Sequence, residues 1–208
     1  MFSIIQAAGW PIWPLIACSV LALAIVIERF ISLTTAKVAP PRLLDEVLRV
    51  TKSSVPGPDV VAQLEKSSAL GEVLASGLRL INTDPRSTED DLRAALEGAG
   101  RRVAQRLERN LNALGTIASA APLLGLFGTL VGMIEIFGSQ APGSGGAGNP
   151  AQLAQGISIA LYNTAFGLVV AIPSLIFWRY FRGRVDAYLL TLELSAEQLV
   201  RHLKSLRR

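Results

Sequence analysis

Charged residues fall in blocks along this chain, and the gaps between the blocks are long. None occurs from Met1 to Ile27, from Asn110 to Ile134, or from Ile136 to Trp178. A helix needs about 20 mostly apolar residues to cross a hydrocarbon core roughly 30 Å thick. The pattern therefore predicts three spans, at about Trp10–Ser32, Leu111–Phe137 and Leu153–Tyr180. The third charge-free run has room for a loop as well. Ala141–Pro150 (APGSGGAGNP) is that loop, because Gly, Pro and Asn punctuate turns.

The first apolar stretch invites comparison with a cleaved signal peptide, which has a positively charged start and a shorter apolar core. Here the first basic residue is Arg29, beyond the apolar run, and no small-residue cleavage site follows. The stretch reads as an uncleaved span.

Between the first two spans the pattern becomes amphipathic. Pro40-Pro41 and Pro56-Gly57-Pro58 break the chain around a short amphipathic stretch, Arg42–Lys52. Asp59–Leu80 predicts one helix with an apolar stripe of Val60, Val61, Leu64, Leu70, Val73, Leu74 and Leu78. Asn82–Ser87 ends it, and Ser87 followed by Asp90 resembles a capping arrangement. No proline then occurs until Pro122, and Glu89, Arg93, Glu97 and Arg101 alternate in sign at four-residue spacing on one face. Thr88 to about Phe137 is thus expected to be one helix about 75 Å long at 1.5 Å per residue. Val185–Leu206 has helical periodicity and can continue the third span.

Charge sets the topology. The segment from Glu28 to Asn110 holds 13 Lys/Arg and 12 Asp/Glu, and Arg179–Arg208 holds 7 and 3, which together contain all 20 basic residues. By the positive-inside rule, the N-terminus (1–9) and the loop (138–152) face outward, while 33–110 and 181–208 face the cytoplasm. The net charge of +4 is accordingly a topology signal and not a nucleic-acid footprint. The expected architecture is an all-α membrane protein: three transmembrane helices (10–32, 111–137, 153–180), with long helices extending into a cytoplasmic helical collar.

Catalytic chemistry finds no foothold. Cys18 is single and lies within the first span, so neither a disulfide framework nor a metal pattern exists. His202, the one histidine, reads as a solvated or lipid-facing side chain of the tail. There is no nucleophile–base pair and no phosphate-cradling loop. No enzyme and no cofactor is expected.

The second and third spans carry matching stripes. Ala118, Pro122, Gly125, Thr129 and Gly132 are spaced 4, 3, 4, 3, as are Ala160, Thr164, Gly167, Ala171 and Ser174. Small residues let membrane helices approach closely. Two readings follow from helix chemistry: packing seams whose threonines bond their own helix carbonyls, or the lining of a pathway or a seat for another helix. Pro122 and Pro173 free backbone carbonyls that need other donors, and Asn163 adds a polar group beside Thr164.

At these residues the chain resembles a known family. Leu107–Thr129 (LERNLNALGTIASAAPLLGLFGT), continuing Leu-Val-Gly-Met-Ile, and Gly156–Pro173 (GISIALYNTAFGLVVAIP) closely resemble the second- and third-span signatures of the MotA/TolQ/ExbB proton-channel family. Three spans and this length look like its ExbB/TolQ branch. The resemblance implies an inner-membrane homopentamer around the single membrane helices of an ExbD/TolR-like partner. In such a machine, proton flow drives work that a TonB-like protein passes to the outer membrane. It marks Thr129 and Thr164 as pore-facing hydroxyls, with Asn163 beside them and Gly128 among the residues that shape the pore. Many members carry glutamate where this chain has Ile159. The one acid within the second and third spans is Glu135, near the outer end of the second, where an interfacial carboxylate and a gating group are both open readings. Hydroxyls do not exchange protons as carboxylates do, so a proton path needs a titratable group from a partner, which the family supplies as an aspartate.

Overall fold

The computed structural model describes residues 9–53, 55–139 and 150–206, and all its elements are helices. In chain order they are α1 (Ile12–Ser32), α2 (Thr35–Val38), α3 (Leu43–Ser53), α4 (Pro58–Ser67), α5 (Ala69–Thr83), α6 (Glu89–Ser139) and α7 (Pro150–Leu206). Helices α1, α6 and α7 are each long and apolar enough to cross a membrane. The expected N-terminal segment 1–8 and the loop at 141–149 lie outside the described residues.

Two compact units divide the chain. The first comprises 1–28 and 110–180, and the second 29–109 and 181–208. Helices α6 and α7 contribute to both.

The first unit gathers α1 with the apolar halves of α6 and α7. Its buried centre is small: Leu15, Ala121, Val170 and Ala171, packed by Cys18, Ile117, Leu124 and Phe166. Cys18 is half-buried there. The outer faces carry exposed large apolar residues such as Val20, Leu23, Leu126, Leu130, Val169 and Ile176, the surface that lipid rather than water would cover. Each long helix continues through its proline, Pro122 in α6 and Pro173 in α7.

The second unit has a conventional core. Leu70, Val73, Leu74 and Leu78 of α5 are almost fully buried, as are Ala99 and Val103 of α6 and Val185 and Leu199 of α7. Burying a side chain of this size contributes about 1.5–3 kcal/mol. Gly77 admits the close packing of α5 on α6, since a Cβ there would lie 3.0 Å from Leu96 and 3.1 Å from Leu92.

Three local expectations are corrected. The helix expected over Asp59–Leu80 is two helices. Ser68 is extended (φ −167°, ψ 169°), and its hydroxyl accepts the Gly71 amide at 3.0 Å, capping α5. This local competitor to the helical bond breaks the run, and Val60 ends up exposed while Val61 is buried. The cap of α6 also sits one residue later than expected: Thr88 and Asp91 bond reciprocally, each side chain accepting the other's backbone amide, at 3.2 and 2.9 Å. His202 is half-buried rather than solvated, and among the described residues its Nε2 is enclosed without a hydrogen-bond partner.

Candidate membrane ion-pathway site

The small-residue stripes of α6 and α7 face each other. A Cβ on Gly125 would lie 2.8 Å from the Asn163 carbonyl oxygen and 3.0 Å from the Thr164 Cα. On Gly167 it would lie 2.6 Å from the Ala121 carbonyl oxygen and 3.1 Å from the Gly125 Cα. These are backbone atoms, so the helices touch main chain to main chain at these glycines. Toward the C-terminal end of α6, Gly128 packs on the Asn163 side chain and Gly132 on Ala160.

At that contact the two threonines meet. The Thr129 hydroxyl is within hydrogen-bond distance of the Thr164 hydroxyl, of the Gly125 carbonyl (3.1 Å) and of the Ala160 carbonyl (3.2 Å). Thr164 in turn reaches the Gly125 carbonyl at 3.3 Å. Each hydroxyl carries one proton, so the pair has two protons to share among these oxygens. Both side chains are half-buried, and Asn163 beside them is 1% exposed. The cluster can hold and redirect hydrogen bonds. It cannot change charge near neutral pH.

Other expected site residues are placed variously. Ala160, Ala171 and Ser174 are buried, and Ser174 donates to its own helix, to the Val170 carbonyl at 2.7 Å. Pro122 and Ile159 are half-buried, whereas Pro173 is exposed. Glu135 is exposed near the end of α6. Among the described residues no group of three or more His, Cys, Asp or Glu side chains could hold a metal.

Two polar contacts in the second unit escaped the sequence reading. The buried Arg29 donates to the Leu107 carbonyl at 2.9 Å. The Tyr188 hydroxyl donates to the Leu33 carbonyl at 3.1 Å, lies 3.2 Å from the Thr35 hydroxyl, and receives an Arg184 hydrogen bond at 2.7 Å. The only signal available was a charged Glu28-Arg29 closing an apolar run and a tyrosine on an apolar stripe.

A helical membrane protein whose two longest helices join through small residues and paired hydroxyls is the class these features define. A model of the MotA/TolQ/ExbB proton channel family matches residues 65–194, well over half of the chain. Relatives agree. The chain is 35% identical over 180 residues to putative biopolymer transport protein ExbB-like 3 of Synechocystis sp., covering 86% of this chain and 83% of that one. It is 32% identical over 172 residues to ExbB-like 1 of the same organism, covering 82% of this chain and 66% of that protein. Biopolymer transport protein exbB1 of Vibrio cholerae is 30% identical over 171 residues, covering 81% and 73%. The chain belongs to the MotA/TolQ/ExbB proton channel family, as a multi-pass membrane protein of the ExbB-like biopolymer-transport kind.

Proposed function

We propose that this chain is the membrane housing of a proton-motive-force-driven motor of the ExbB/ExbD–TonB type. In this reading it sits in the bacterial inner membrane, with its N-terminus and the 138–152 loop in the periplasm and residues 33–110 and 181–208 in the cytoplasm. Copies assemble as a homopentamer. The spans at 111–137 and 153–180 surround the membrane helices of an ExbD/TolR-like partner, and the motion is passed through a TonB-like protein to outer-membrane transport.

One observation carries the reading. The polar side chains at the α6–α7 seam, Thr129, Thr164 and Asn163, include no titratable group, and the single acid of the second and third spans, Glu135, is exposed near a helix end. A family that conducts protons needs a group that binds and releases them. Here that group has to come from a second protein, and a partner aspartate level with the threonines meets the need. Thr129, Thr164 and Asn163 would then hydrogen-bond and orient water along the path, while Gly125, Gly128, Gly132 and Gly167 hold the two helices together. Ile159 leaves the third span without a proton relay of its own.

The test is proton flux into proteoliposomes holding this chain alone or with its single-span partner. Flux only in the presence of the partner supports the reading. Robust flux from this chain alone would make it a self-sufficient channel and overturn it.

A further inference from the structure

Charges frame the first unit at both ends. At the end that the topology proposed above makes the inner one, the Asn110 side-chain amide donates to the Glu28 carboxylate at 2.9 Å. On α7, Arg179 follows Trp178, whose indole lies against Gly115. At the outer end the first charge of α6 is the exposed Glu135. Charge is costly inside hydrocarbon, so these groups mark the two water boundaries. Asn110 and Glu135 are 25 residues apart, about 37 Å of helix. A hydrocarbon core of roughly 30 Å fits between them with about 4 Å to spare at each end.

Thr129 is not central in that frame. It stands 19 residues past Asn110 and six short of Glu135, about 28 and 9 Å along the helix. It therefore lies about 25 Å from the inner edge of the core and about 5 Å from the outer edge. The middle of the core falls near Pro122. Thr164 shares the level of Thr129, because the two hydroxyls meet.

Inward of the pair the seam is dry. Gly125 and Gly167 close it main chain to main chain, and Trp178 covers Gly115 further in. Leu114, Ala118 and Ala121 of α6 and Val170 and Ala171 of α7 are buried along it. On the exposed side of α6, the hydroxyls of Thr116 and Ser119 are bonded back to the Asn112 and Gly115 carbonyls, at 2.9 and 2.6 Å. A charge brought from the outer water to the level of Thr129 crosses about a sixth of the core, and so about a sixth of the transmembrane potential.

We propose that the Thr129–Thr164 level is an outer loading site. The titratable group stationed there takes its proton from the outer water almost independently of the membrane potential, and the potential acts on release toward the cytoplasm. The loading role rests on the partner-carried proton of the reading above. The depth of the pair does not.

The test has two arms. For depth, the full chain in lipid vesicles, in a Cys18→Ser background, carries a nitroxide on Leu123→Cys, Leu130→Cys or Tyr162→Cys, positions that are 66%, 55% and 47% exposed. Power saturation with oxygen and a nickel chelate is expected to place 130 and 162 close to one edge of the core and 123 about 10 Å deeper. Labels at 130 and 162 near the bilayer centre overturn the proposal. For loading, proteoliposomes holding this chain and its single-span partner are assayed for proton flux against outer pH at several imposed potentials. The half-saturating outer pH is expected to move by about a sixth of the proton equivalent of the potential. A shift of half or more, with flux still dependent on the partner, overturns outer loading and leaves the partner reading standing. Flux that needs no partner overturns both the loading role and that reading, while the depth is decided by the nitroxides.

Discussion

The hydroxyls of Thr129 and Thr164 meet across the α6–α7 seam, and both reach the carbonyl oxygen of Gly125. The geometry shows the first of the two roles that helix chemistry leaves open, the packing seam. Thr129 bonds a carbonyl of its own helix and one of the opposite helix at once. The hydroxyls that make this packing contact are the ones assigned to the proposed pathway, and only substitution separates the two roles.

Thr129→Val with Thr164→Val keeps the shape of both side chains and removes both hydroxyls. Interhelical hydrogen bonds in membranes average about 0.6 kcal/mol, so the double variant should lose roughly 1 kcal/mol and still assemble. Energised transport should be lost. Transport assays beside native gels check both, and normal uptake would reduce the threonines to packing groups.

Gly167→Ala should be costly. Its new Cβ would press on the Ala121 carbonyl, which cannot swing aside as a side chain can, and overpacking of this kind costs about 1–3 kcal/mol. Gly183→Ala is the control: a Cβ there meets nothing within 4 Å, and replacing a mid-helix glycine by alanine gains roughly 0.5–1 kcal/mol. Thermal unfolding in detergent should shift in opposite directions.

Tyr188→Phe removes the hydroxyl that joins α7 to Leu33 and Thr35, and leaves the buried Leu33 carbonyl without that donor. The expected cost is about 1–3 kcal/mol. Hydrogen exchange should speed up at residues 33–38, while the Thr129–Thr164 region keeps its protection.

Acid should loosen the start of α6. The Thr88 side chain, then its backbone amide, hydrogen-bond the Asp91 carboxylate and hold it below the usual carboxylate range. A hydrogen bond from Lys204 holds Glu89 low as well, helped by the Lys204 and Arg93 charges. A depressed folded-state pKa stabilises fully above the ordinary value, near 4, and that contribution fades as pH falls through the lower folded value. Amide protection in the first turn of α6 should therefore fall below about pH 4. Asp91→Asn should flatten the response.

The order of residues along the chain was enough to determine the three apolar helices, the long α6 and the two small-residue stripes. Each is a one-dimensional property: the length of an uncharged run, or a period of 3.6 residues. The break at Ser68 was not legible, because the apolar stripe runs through both helices and a single hydroxyl bonded to the Gly71 amide decides against continuity. Nor was the capping position. Ser87 and Thr88 offer the same chemistry, and the choice depends on which of them turns its side chain to the helix end.

Sequence alone thus made Thr129 and Thr164 members of two separate faces, with the amide of Asn163 nearby. Only the tertiary structure brought the two hydroxyls together, and the reason is steric. Gly125 and Gly167 have no Cβ, so the α6 and α7 backbones come close enough for two short side chains to span the gap.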